Sequence, residues 1–98
     1  KIPWVLENHD HAYKRTHPLL HGKVRNATEG GGIVYSGDGS LGVDTGSREV
    51  NHRWYHAVTR KGDYALVATL LSGADPKKRL VHVAVLGSKG KVFEDFDV

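Results

Sequence analysis

The 98-residue sequence predicts an α+β fold, mainly β, that closes in an antiparallel meander. Three observations predict it. The last third holds three apolar or alternating runs, 64–71, 80–86 and 91–97, separated by turn-forming residues. Two shorter apolar runs, 2–6 and 32–36, each open into a polar or glycine-rich loop. One stretch, 48–60, carries helical spacing.

Taken in order, residues 2–6 form a short strand that tolerates Pro3 near its start. Residues 9–29 are polar and read as a loop, with Pro18 against helix continuation and Leu19-Leu20 able to tuck onto the core. Gly30-Gly31-Gly32 punctuates the chain before the second strand, and residues 37–47 form a glycine-rich loop. Ser47 can cap a helix from Arg48 to about Arg60, because Val50, Trp54 and Val58 recur every fourth residue. Trp54 and Tyr55 are then candidates for the core. The meander follows, with a loop over 72–78 and a hairpin connection at Gly87-Ser88-Lys89-Gly90. Within it, Val81, Val83 and Val85 share one face and His82 lies on the other.

The chain is long enough for one domain or part of one. It has no cysteine, which excludes a disulfide framework, a thiolate metal site and a thiol nucleophile. The net charge is +3, but the basic residues are scattered among acids, which argues against a nucleic-acid footprint. No apolar run reaches membrane-spanning length, so no membrane partner is expected. The chain begins at Lys1 and enters a strand almost at once, as expected of a single-domain piece, residues 1–98, cut from a longer protein.

The segment Glu7-Asn8-His9-Asp10-His11-Ala12-Tyr13-Lys14-Arg15-Thr16 carries the densest chemistry. Four of the seven histidines, His9, His11, His17 and His21, fall within thirteen residues. Directly after a strand, His9 and His11 alternate with Asp10 and are expected to face the same way. Two imidazoles so placed can each hold one ion of a two-metal pair. Gly37-Asp38-Gly39-Ser40-Leu41-Gly42 also spells Gly-x-Gly-x-x-Gly, but a dinucleotide site needs a helix to open there, and turn-forming residues follow instead. Asp38 is expected to cap backbone N–H groups in that turn.

His9-Asp10-His11-Ala12-Tyr13-Lys14-Arg15-Thr16 resembles the last metal-binding block of the calcineurin-like metallophosphoesterases. It is most similar to the purple acid phosphatase branch, where Gly-His-x-His is followed by Ala-Tyr-Glu-Arg-Thr. Both histidines, Ala12, Tyr13, Arg15 and Thr16 match; Asn8, Asp10 and Lys14 depart from the pattern. Val34-Tyr35-Ser36-Gly37-Asp38-Gly39 is similar to the strand and Gly-Asp-Gly segment that follows in the same family.

The resemblance implies the C-terminal part of a metallophosphoesterase β-sandwich, an α/β four-layer domain, packing against an N-terminal part of the same domain. It implies a metal-dependent hydrolase of phosphate esters. His9 would ligate the second ion and His11 the first of two Fe, Zn or Mn ions. Such a pair polarises phosphoryl oxygens and lowers the pKa of bound water. Asn8, Asp10, Tyr13 and Arg15 would touch substrate or hold the ligands, although Arg15 paired with a buried carboxylate and Tyr13 packed beneath the loop fit the residues better. The family's Asp-x-His and Gly-Asn-His blocks do not occur in the chain, so the 98 residues alone are expected to be inactive. The family resemblance also points to a secreted or periplasmic location. The rival is a small β-rich binding module whose histidine-rich loop is a surface feature without catalysis.

Overall fold

Trp4, Val5 and Leu6 form β1 (Trp4–Leu6), which pairs in parallel with β5 (Val34–Asp38) in the register Trp4 with Val34 and Leu6 with Ser36. The computed structural model describes residues 3–26, 30–44, 46–71 and 80–98. β2 (Tyr13–Thr16) runs antiparallel to β5 on one side and to β6 (His56–Arg60) on the other, giving a four-stranded sheet in the order β1-β5-β2-β6. β3 (Leu19–Leu20) and β4 (Lys23–Val24) make a two-stranded ribbon. β7 (Ala65–Leu71), β8 (Leu80–Leu86) and β9 (Val92–Asp97) form the expected antiparallel meander in sequence order.

The fold is mainly β, and among the described residues there is no helix. The helix expected over 48–60 is therefore replaced by irregular chain and then by β6. The reason lies in Ser47 and in the strand that follows. The Ser47 hydroxyl bonds the carbonyl oxygen of His11 at 3.0 Å and accepts the Gly62 N–H at 2.6 Å, so it ties two loops together and caps nothing. Val58 and Thr59, β-branched residues that favour pleated backbone, pair across to Arg15 and Lys14. The fourfold spacing did not mark a buried face: Trp54 is 65% exposed, against its expected place in the core. The polar loop expected over 9–29 is also corrected, because its described residues hold β2, β3 and β4. The expected loop over 72–78 lies outside the described residues.

Alternation in the meander works as read. Val83 and Val85 are fully buried, while His82 is half-exposed and lies between Asp95 and Asp97 across the β8–β9 pair. At the hairpin, Gly87 donates to the Lys91 carbonyl, and Gly90 takes a positive φ of 76° that suits glycine.

The core forms where β2 meets the meander. Tyr13 is fully buried, with ring centroids 5.7 Å from Tyr64 and 6.0 Å from Phe93, the latter edge-on. Its hydroxyl donates to Glu94 Oε1 at 2.5 Å. Arg15, two residues on and so on the same face of β2, grips the same carboxylate through Nε at 2.8 Å and Nη2 at 3.1 Å. Its guanidinium also sits 5.2 Å from the Phe96 ring centroid.

Glu94→Ala is expected to cost about 2–3 kcal/mol, because it leaves a partly buried guanidinium and a buried phenol without their acceptor. Urea unfolding followed by tyrosine fluorescence measures it. Lys89→Ala, on the exposed hairpin turn, should stay within about 0.5 kcal/mol of the parent.

Candidate functional site

β1 and β5 are parallel neighbours, so their carboxyl ends lie side by side and the loops that leave them, 7–12 and 39–44, meet. The contact is close and specific. A side chain on Gly37 would collide with the Glu7 carbonyl oxygen, so only glycine lets the two backbones approach. Asn8 Oδ1 accepts the Asp38 N–H at 2.8 Å. The Asp10 carbonyl accepts both Ala12 N–H at 2.8 Å and Gly39 N–H at 3.2 Å. The His11 carbonyl accepts the Ser47 hydroxyl and the Arg48 N–H. The histidine loop is thus pinned at three residues, Asn8 through its side chain and Asp10 and His11 through their carbonyls.

Asp38 performs the capping role expected of it. Its carboxylate receives the Leu41 and Tyr64 N–H groups, each at 3.2 Å, and the Ser40 hydroxyl lies 2.8 Å away. The glycines around it serve tight turns: Val43 N–H closes on Ser40 and Gly46 N–H on Val43, with no helix to receive a dinucleotide.

His9 and His11 lie on this loop, which bends over 10–12, so strand alternation does not set their directions. His9 is exposed and His11 half-buried. Asn8 and Asp10 stand beside them, but each already has a partner: Asn8 the Asp38 backbone, Asp10 the Lys14 ammonium at 2.9 Å. Tyr13 and Arg15 face away toward Glu94, in the pairing that the residues themselves favoured. Among the described residues no group of three or more histidines and carboxylates converges to hold a metal ion. Two imidazoles make part of a coordination shell and not a closed site. They fit a metal only with donors from outside the described residues.

A second group assembles on the other face of β2. Lys14 is 7% exposed; its ammonium reaches Asp10 and lies 4.0 Å from Glu7. His56 is 8% exposed. Its Nδ1 accepts the Arg53 N–H at 3.0 Å, and its ring stacks edge-on against Tyr55 at 4.5 Å. Hydropathy gave no sign of either residue. Their burial follows from β2 lying inside the sheet and from the chain before β6 folding back over it.

Charges in the two groups are set by their partners. Burial pushes the His56 imidazole below its usual value, and the charges of His52 and Lys14 push the same way. Hydrogen bonding from Lys14 lowers Asp10. Burial alone would raise Glu94, but the bonds from Arg15 and Tyr13 outweigh it and hold the carboxyl below its usual range. Burial, reinforced by Glu94, drives the Tyr13 phenol upward.

No protein-family model, curated protein or solved structure matches this chain.

Two outcomes follow from this geometry. Gly37→Ala should cost about 3 kcal/mol, because the added methyl meets backbone that cannot give way, whereas Gly42→Ala, with open space around it, should cost only the strain of its positive φ, about 1 kcal/mol; thermal unfolding compares them. Stability should also fall in two stages on acidification. His56 binds its proton less readily in the folded state, so stability drops as pH falls below the ordinary 6.5. Glu94 is held below its ordinary 4.5, so its contribution is complete above that value and is lost as pH falls through the lower folded value. Urea midpoints between about pH 8 and pH 3 read both stages, and His56→Gln should remove the first alone.

Proposed function

We propose that this chain supplies the His-x-His ligand loop of a dinuclear-metal phosphoric-ester hydrolase, a phosphatase or phosphodiesterase of the calcineurin-like, purple acid phosphatase-like kind. The observation that carries the reading is the placement of His9 and His11: a bent loop at the carboxyl end of a parallel strand pair, pinned by the Asn8 side chain and the Asp10 carbonyl to the Gly37-Asp38-Gly39 segment. The two segments that resemble the family lie far apart in sequence, and each is the other's neighbour here. In this reading the remaining ligands come from an N-terminal part of the same domain.

His9 and His11 are the residues that would hold the ions, with Fe, Zn or Mn suited to imidazole. When bound, the ions supply Lewis-acid polarisation of a phosphoryl group and activation of water. The protein's share is to hold the two rings. Asn8 fixes the loop's first turn on Asp38, Ser47 holds the His11 carbonyl, and Glu94 anchors β2 through Tyr13 and Arg15. Lys14 neutralises Asp10, which keeps that carboxylate beside the loop as an ion-pair partner.

The second reading is a β-rich binding module whose histidine loop is only a surface feature. The lack of a three-donor group among the described residues favours it. The two part on one comparison. In the full-length protein, His9→Ala and His11→Ala should each lower bound metal and cut turnover of an aryl phosphate about a thousandfold, equivalent to roughly 4 kcal/mol of barrier. His82→Ala, in the meander, should keep both. The 98-residue chain alone should show no saturable, metal-dependent hydrolysis. Parental metal content and turnover in both loop variants would leave the binding-module reading.

A further inference from the structure

On the face of β2 opposite Glu94, a basin of about 270 Å³ opens between the histidine loop and the chain leading into β6. Its lining includes the carboxylates Glu7 and Asp10, the cations Lys14 and Arg53, the Tyr55 ring and the His56 imidazole. His56 is the informative member. It is more than nine-tenths buried, and its Nδ1 is occupied by the Arg53 N–H. The neutral ring therefore carries its proton on Nε2. That nitrogen has no partner among the described residues, and no fully enclosed side-chain nitrogen or oxygen there lacks one. Nε2 is thus accessible, an unused donor on a residue that lines the basin.

The charges around it select the ligand. Two carboxylates balance two cations, and burial favours the neutral form of His56. A phosphate dianion would approach Glu7 and Asp10 against their charge. A metal ion would face Lys14 and Arg53 and find no three-donor group among the described residues. A hydroxyl group suits both halves, because it donates to a carboxylate and accepts from an ammonium, a guanidinium or an imidazole N–H. The Tyr55 ring adds an apolar wall for C–H groups. A ring bearing several hydroxyls satisfies this mixture without bringing net charge into a neutral site.

We infer that the basin binds a neutral polyhydroxylated ring, a monosaccharide or a cyclitol, held by His56 Nε2–H, the Arg53 guanidinium and the Asp10–Lys14 pair. This does not rest on the phosphoesterase reading.

The test is an NMR titration of the full chain with D-glucose, with myo-inositol and, separately, with inorganic phosphate, following the His56 Cε1–H and the Asn51 and Arg53 amides. At least one polyol should give saturable shifts confined to these signals, and phosphate should not. His56→Ala should weaken that binding roughly three- to tenfold, the loss of one hydrogen bond. Arg53→Ala, at an exposed position that does not put folding at risk, should weaken it as well. His9→Ala should leave it unchanged, which separates this site from the histidine loop. Absence of shifts with either polyol at about 100 mM, a level that detects even very weak affinity, would overturn the inference. So would shifts with phosphate alone, or parental affinity in Arg53→Ala or in His56→Ala with native Val83 and Val85 methyl signals.

Discussion

The Glu94 carboxylate is the joint on which the rest of the structure depends. It stands on β9, in the meander, and takes three hydrogen bonds from β2, in the other sheet: one from Tyr13 and two from Arg15. A carboxylate this enclosed would be costly without partners. With a bidentate guanidinium and a phenol it becomes the fixed point between two sheets. Tyr64 and Phe93 pack around the Tyr13 ring, and Val83 and Val85 complete the dry interior. Once β2 is held on this side, its opposite face is held too. That places Lys14 against Asp10 and sets the start of the strand, hence the end of the histidine loop.

β2 explains why part of the fold is hard to read from sequence. Tyr13-Lys14-Arg15-Thr16 looks like polar loop, since all four of its residues are charged or carry a hydroxyl. Its burial is made possible by a partner 79 residues from Arg15 and 81 from Tyr13, which no local window reveals. The meander is the opposite case. Val81, Val83 and Val85 alternate with His82 and Ala84, and period-two burial is a local property. The strands β1 and β5 were also legible, because short apolar runs ending in polar or glycine-rich loops are what such strands look like, whereas their parallel pairing was not. The helix expected over 48–60 failed because four-residue spacing of Val50, Trp54 and Val58 is only three points. Ser47 spends its hydroxyl on two loops, and Trp54 stays exposed.

The site shows the same division. The histidine loop, its glycine neighbour and the capping role of Asp38 follow from local residue patterns. The basin does not, since Lys14 and His56 gain their burial from chain that folds back over β2. The two sites share β2 and Asp10: the Asp10 carbonyl holds the turn at Gly39, and its carboxylate holds Lys14 at the basin wall.

The most direct test of the proposed role of the histidine loop is to add cobalt(II) in steps to isotope-labelled protein and follow all seven histidine rings by NMR. Cobalt accepts imidazole donors as zinc and iron do. The account predicts that the His9 and His11 rings shift first and together, before His17, His21, His52, His56 and His82. Uniform broadening of every exposed histidine, with no preference for His9 and His11, would contradict it.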